Sequence, residues 1–471
     1  ALNADTLTNY IYQSIDNSHP DYSKLVAHYP FDKGTGSQTL FDLKGTYDGV
    51  LTNMDAATDW VSSAAMTPES SNTVVNTLDN GAGSFRSAIE FANTNPGPDT
   101  IRFDILAAGP WKITPVDLLP TITDDTLVID GSTQPGWDIG TGMMITLDGS
   151  NWTSNTSTYD GLEVTADHVS VYGLRFDEWG NQSIEASGAK YLQIGDLSRG
   201  NVFLNSANAV NLVNCDNAVF QGNLVGVDYD TLTAGGMSNY AVLGSSTDTV
   251  RVLQNILGFN GASSSYAAIR FTSGTKGYVQ GNYVGVSPSG ADIGNTGGGI
   301  SMDIDSVLIG GPEPEDRNYV AGNGNGGISS VGQYGTVQNN YVGVTAQNTS
   351  LGNSGSGIEL SNRDYITVLN NVIANNTGSG IALTSNADYA TIDANLIGLM
   401  PDTLSAPGNG TTSNGIHINF GKKTTITNNY IGGQGYWAVQ AYFDSDSITI
   451  KGNVIGTGLT GTEDFGLNSG G

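Results

Sequence analysis

The sequence predicts an all-β protein folded as a right-handed parallel β-helix, a solenoid with an N-terminal capping helix. Two observations carry this expectation. A short segment recurs as "QGNLVGVD" at Gln221–Asp228, "QGNYVGVS" at Gln280–Ser287 and "QNNYVGVT" at Gln338–Thr345. Between copies lie runs such as "AIRF", "GISM", "GIEL", "GIAL" and "GIHI", which alternate with period two as strands with one buried face do. A unit this short cannot bury its apolar side alone, so successive copies must stack.

Composition agrees. The 471 residues include 64 glycines, only 17 Lys and Arg against 45 Asp and Glu, and carry a formal net charge of −28. Abundant Gly suits short strands and many turns. So acidic a surface repels phosphate, which excludes a nucleic-acid partner. No run approaches the ~20 apolar residues of a membrane span, so membrane insertion is not expected, and "ALNADTLTNY" has none of the marks of a secretory leader. Cys215, the single cysteine, reads as a small buried thiol in "AVNLVNCDNAV".

The chain divides into three parts. Residues 1–66 read as a small β segment, with short strands and Gly turns in "LVAHYPFDKGTGSQTLFDLKGTYDGVLTN". Residues 67–159 read as the cap and first coils. Phe85, Ala88, Ile89 and Ala92 fall at helical spacing after Ser84, a plausible N-cap, and before Pro96. Such a helix protects the open first coil from edge-to-edge pairing. Strands "TIRFDI", "LVIDG" and "ITLDG" follow.

Residues 160–471 are the array. Asn201, Asn223, Asn255, Asn282, Asn318, Asn340, Asn371, Asn395, Asn429 and Asn453 recur at intervals of 22 to 36 residues. Each is expected at a turn, tolerating left-handed backbone and stacking its amide on the next coil. The longer intervals carry insertions after V-G-V, such as "DYDTLTAGGMSN" and "SPSGADIGNTGG", expected to project as loops from one side. Alternation sends Ile269, Ile300, Ile358, Ile381, Ile416 and Val439 inward. It leaves an outward file of Glu185, Asn211, Leu243, Arg270, Ser301, Ser329, Glu359, Ala382, His417 and Gln440. Tyr283, Tyr341 and Tyr430, each following a ladder Asn, are expected to stack on one another. "GTGLTGTEDFGLNSGG" aligns with the start of another repeat, which suggests continuation into a longer chain or end-to-end self-assembly.

A β-helix leaves the chemistry open. A glycoside hydrolase needs two carboxylates ~5–9.5 Å apart; a lyase needs a base near neutrality, with a cation to acidify the sugar. The catalytic candidates are Asp303, Glu359, His417 and Arg270. Asp303 is expected to form a surface ion pair with Arg270, and Glu359 and His417 to lie two coils, ~9.6 Å, apart. Acidic turns holding Asp228 and Asp230, Asp303 and Asp305, and Asp444 and Asp446 are the metal candidates; no cofactor is required, and calcium is the ion such oxygens suit. Tyr229, Tyr240, Tyr266, Trp437 and Tyr442 are candidates for stacking on sugars.

Leu25–Asn53 resembles the opening strands of laminin-G/concanavalin-like modules. The segments "NTLDNGAGSFRSAIEFAN" and "IDGSTQPGW" and the G-N-x-V/I-G repeats, from about Thr73 to Gly471, resemble the parallel β-helix repeat proteins of bacterial surfaces and secretions. That resemblance implies an extracellular or cell-surface location and an extracellular polysaccharide or surface protein as partner. The expected function is an adhesin, stalk or filament segment whose scaffold presents loops for binding. The alternative is a secreted polysaccharide lyase or glycoside hydrolase.

Overall fold

The computed structural model describes residues 26–27, 39–40, 42, 44–45, 47–50, 52 and 71–466, apart from 153–158, 403 and 459. From Thr73 onward the strands join three sheets in rotation. Sheet 1 has 14 strands, from Thr73–Val74 to Thr449–Lys451; sheet 2 has 13, from Trp111–Ile113 to Val454–Ile455; sheet 3 has 11, from Leu162–Val164 to Val439–Tyr442. Pairing within each sheet is parallel and joins one coil to the next. The fold is a parallel β-helix.

The cap forms as its sequence dictates. Helix α1 spans Phe85–Thr94, the Ser84 side chain accepts from the Ser87 amide, and Phe85, Ala88, Ile89 and Ala92 are its buried residues. Phe85 meets Phe103 of the first coils at 5.7 Å between ring centroids. One apolar cluster then runs from Val74 to Ala438. In sheet 3, Val242, Ile269, Ile300, Ile328, Ile358, Ile381 and Ile416 stand in register and are fully buried; Val439, in the last coil, is only partly so. Cys215 is buried and donates to the Ala186 carbonyl at 3.3 Å. Burial pushes its thiol up to about 11, so it is an inert packing group.

The asparagine ladder is continuous through all ten expected residues. Asn282 is typical: its Nδ2 donates to the Asn318 Oδ1 at 3.0 Å and to the Val252 carbonyl at 2.8 Å, and its backbone N–H donates to the same Asn318 oxygen at 2.9 Å. The expected left-handed conformation, however, belongs to the residue before the ladder Asn. Gly222, Gln254, Gly281, Asn339, Asn370, Ala394, Asn428 and Gly452 have positive φ. The turn needs one left-handed residue to reverse the chain; the next, in ordinary backbone, can then aim its amide along the axis. Before Asn318 a 3₁₀ turn, Pro314–Asp316, makes the approach instead, with Arg317 at φ −61°.

A second ladder, unforeseen, flanks sheet 2 on its other side. Asn260, Asn295, Asn323, Asn353, Asn376 and Asn409 are buried and linked coil to coil, ending at Gln434. Its signal is a G-N or N-N dipeptide shortly before the next strand, as in "IGNTGGGI" and "LGNSGSGI".

The insertions do not project freely. After V-G-V each folds into a small hairpin, with antiparallel bridges Val227–Ala234, Val286–Asp292 and Val344–Ser350. The hairpins lie over the outer face of sheet 2, where Val344 and Met400 pack with Val372, Tyr341 and Leu396. Apolar residues after V-G-V find more burial there than in solvent. On that face Tyr283 stacks on Tyr319 at 5.0 Å, and Tyr319 meets Tyr341 edge-on at 5.4 Å. Tyr430 is not in the stack, because its register neighbours are Leu396 and Val454.

Of residues 1–66, Thr39–Leu40 pairs antiparallel with Gly49–Val50. The rest of the laminin-G-like stretch lies mostly outside the described residues.

Replacing Asn340 by Ala removes its amide bonds to Asn371, Ile309 and Gln338 and strands the buried Asn318 N–H that it accepts. Denaturant unfolding is expected to show a loss of about 3 kcal/mol; an unchanged midpoint would mean that the ladder is dispensable.

Candidate functional site

With hairpins lying over sheet 2, the outward face of sheet 3 is an open polar file. Its register follows the sequence expectation: Glu163, Glu185, Asn211, Leu243, Arg270 and Ser301 pair coil to coil, as do Glu359, Ala382, His417 and Gln440. Ser301 and Ala382 are nonetheless buried, because larger neighbours close over them.

Midway along the file, Arg270, Ser301, Ser329 and Glu359 line one pocket of about 190 Å³, walled by Ser264, Ser265 and Asn325. The Arg270 guanidinium donates to the Ser301 hydroxyl at 2.9 Å. The Asn325 amide holds the wall by donating to the Ser264 carbonyl at 3.1 Å. Tyr266, at the end of that wall, meets Tyr240 edge-on at 5.0 Å. Two of the sequence candidates, Arg270 and Glu359, thus share a pocket. They stand at opposite ends of a patch that can hold a hydroxyl-rich ligand by charge-assisted hydrogen bonds.

The other candidates go elsewhere. Asp303 pairs with Arg363 at 2.6 Å, not with Arg270: the sheet 3 strand ends at Met302, so Asp303 lies in the corner after it, and Arg363 reaches it from the same corner two coils on. His417 is two coils from Glu359 and receives the Asn414 amide at 3.1 Å from its Nδ1. Asp228 pairs with Arg175 at 2.7 Å. Asp230 binds the hydroxyl and amide of Thr233, which hold it below the usual carboxylate range. Asp305 accepts from the Gln333 backbone N–H, and Asp444 and Asp446 sit in an exposed turn. Among the described residues no group of three or more His, Cys, Asp or Glu could hold a metal ion.

At the N-terminal end of the file lies an acidic group that the sequence reading passed over. Glu163 and Glu185 pair on adjacent strands. Asp160 sits beside them, accepting from the Asn181 amide and the Gln182 backbone, each at 2.9 Å. Burial pushes the Glu185 carboxyl up to about 7; Asp160 and Glu163 add repulsion, and Asn211 pulls the other way. Its Oε2 is buried with no hydrogen-bond partner. Burial likewise raises Asp160. Glu163 is exposed and accepts from the Thr121 hydroxyl at 2.7 Å. The overlooked signal is "GLEV", Gly161–Val164, which matches the later "GIEL".

Glu185 makes stability depend on pH. Below about pH 4.5 its carboxyl is protonated whether folded or not; between there and about 7 only the unfolded chain gives up the proton. Stability is therefore expected to fall as pH rises through this window and to level off above it. Glu185→Gln should flatten the profile and raise stability at pH 8 by on the order of 1 kcal/mol, discounted for partial exposure. Thermal melts of both proteins from pH 4 to 8 check this; parallel profiles would contradict it.

Comparison with known proteins gives limited likenesses. A family model described as NosD, periplasmic copper-binding protein, matches residues 313–460. Copper favours His, Cys and Met ligands, but that segment holds one histidine, His417, one methionine, Met400, and no cysteine. Met400 is buried against Val344 and Val372, so the residues present do not make a copper site. No curated protein matches the sequence. Among solved structures, the A-module of the mannuronan C-5 epimerase AlgE6 from Azotobacter vinelandii is 12% identical, with 80% of this chain and 96% of that chain covered and a TM-score of 0.39. The Dettilon tailspike protein is 13% identical over 82% of this chain and 66% of its own, at a TM-score of 0.41. PfbA, a surface adhesin of Streptococcus pneumoniae, is 11% identical over 85% and 92%, at 0.31. The parallel β-helix itself rests on the strand pairing described above.

Proposed function

We propose that the chain is an extracellular, cell-surface scaffold, an adhesin or stalk segment, that holds a polysaccharide against the outward face of sheet 3. The observation that carries this reading is the pocket in which Arg270, Ser301, Ser329 and Glu359 converge from successive coils. A cation anchored on the Ser301 hydroxyl, the Ser329 hydroxyl and a carboxylate on a rigid sheet offer donors and acceptors at fixed spacing, which suits a chain of hydroxyls better than a flat apolar partner. Affinity electrophoresis against a panel of soluble polysaccharides tests it. Binding by the parent protein should weaken roughly tenfold, about 1.4 kcal/mol, in Arg270→Ala and again in Glu359→Gln. Equal mobility of all three proteins on every polymer would refute it.

The Glu163–Glu185 pair favours a second reading, a glycoside hydrolase. Adjacent coils set strands ~4.8 Å apart, near the ~5–5.5 Å separation of carboxyls in retaining enzymes. Glu185, protonated near neutrality, would give its proton to the leaving glycosidic oxygen while the Glu163 carboxylate attacks the anomeric carbon. Water, deprotonated by Glu185, would then release the sugar. Incubation with the same panel should release reducing ends, with at least a hundredfold loss in Glu185→Gln and in Glu163→Gln. No release on any polymer leaves the scaffold reading alone.

A further inference from the structure

Sheet 1 carries a second regular surface, on the edge and face away from the pocket. In five successive coils its outward position is threonine: Thr336, Thr367, Thr391, Thr425 and Thr449 stand directly in register. Between them Val337, Val368, Ile392 and Ile426 point into the core and are fully buried, so the backbone that holds the threonines is fixed. Among the described residues none of the five hydroxyls makes a hydrogen bond within the chain.

Two residues before each threonine the turn from sheet 3 requires a left-handed residue. Three of these are Tyr334, Tyr365 and Tyr389, at φ of 59°, 59° and 57°. Their rings stack at 5.2 and 4.6 Å between centroids, nearly parallel. Lys423, at the same turn position one coil on, closes the stack with its ammonium 4.6 Å from the Tyr389 ring. The tyrosines are 57%, 43% and 37% exposed.

The fold does not ask for tyrosine there. Earlier coils place His168, Tyr191, Asn217, Thr249 and Ser306 at the same turn position with the same positive φ, so the turn accepts varied residues, and asparagine adopts that conformation with less strain than a bulky side chain. Strained residues that a fold could avoid mark surfaces kept for another reason. Ring stacking offsets part of the strain, but it leaves the hydroxyl edges in solvent beside the threonine file.

We propose that the tyrosine stack and the threonine file together form a binding platform for an extended, neutral polysaccharide lying along the solenoid axis. Two files of hydroxyls repeat at the coil spacing of ~4.8 Å, a period that an extended chain of equatorially linked pyranose rings approaches ring by ring. Each hydroxyl offers one donor and two acceptor sites. The charges near this surface are largely engaged within the chain. Lys423 donates to the Tyr389 hydroxyl at 2.7 Å, and Asp393 accepts from Thr427 and Asn428. Asp364 and Asp388 each accept a backbone N–H of the following coil. Among the described residues near this file, Lys422 and Lys451, at its C-terminal end, are cations without an acidic partner; against a net charge of −28 they are a weak draw for a polyanion.

Retention of the full chain on microcrystalline cellulose and on chitin, with alginate gel as the polyanionic comparison, tests the proposal. The parent protein should be retained on a neutral polymer and not on alginate. Tyr365→Asn with Tyr389→Asn should lower retention at least tenfold while the thermal midpoint holds or rises, since asparagine suits the turn. Thr367→Val with Thr391→Val and Thr425→Val keeps the shape, removes the hydroxyls, and should also lower retention at least tenfold. Retention on alginate alone, or unchanged retention in both variants, would overturn the proposal. So would a dimer in light scattering that both variants abolish, because the platform would then be an interface between copies of this chain.

Discussion

The structure depends on one constraint: a coil that turns three corners must hide the polar backbone of each corner, and buried amides do this at two of them. Each ladder asparagine uses its carbonyl oxygen to accept the backbone and side-chain N–H groups of the asparagine one coil back, while its own amide donates onward and across to a strand carbonyl. These residues are buried, except for Asn453 at the end of the ladder, which is partly so. A buried amide left without such partners costs more than a bond made between them contributes, so the ladder is stable as a series and poor as an isolated residue. That explains why each coil keeps an asparagine at this corner although the intervals between them vary from 22 to 36 residues.

Because the ladders fix both ends of sheet 2, most variation in length falls in the hairpins after V-G-V, which fold back over the same sheet; the Pro314–Asp316 turn before Asn318 is an exception. The three faces consequently differ in character. Sheet 2 is covered. Sheet 3 presents mixed charge and amide groups, including the Arg270–Glu359 pocket and the Glu163–Glu185 pair. Sheet 1, in its later coils, presents hydroxyls and aromatic edges. Function on such a scaffold is a matter of which file of outward residues a ligand can match.

The fold was largely legible in the sequence because period two and the recurring asparagine are both direct consequences of stacking. Phe85, Ala88, Ile89 and Ala92 declared the cap, and the sheet 3 register followed from alternation alone. The misses have local causes. A turn tolerates its left-handed residue one place before the amide that points along the axis, and the motif "NN" at Asn339–Asn340 does not say which asparagine does which. The Asp303 partner depended on where a strand ends. Tyr319 hid in "RNYVAG" and Glu163 in "GLEV", a coil earlier than the repeats that drew the eye. Glu185 was placed in the file, but its raised pKa arises from burial and two neighbouring carboxylates that no linear pattern displays.

The direction of the hydrogen bonds has a mechanical meaning. In all three sheets they run from coil to coil, so tension applied along the axis loads each coil boundary in series and each boundary through three strands at once. The two amide ladders cross the same boundaries with side-chain bonds at the corners. A coil can therefore leave the stack only by breaking its corners along with its strands. Under load such a rod would lengthen in steps of one whole coil, each step releasing at least 22 residues of chain.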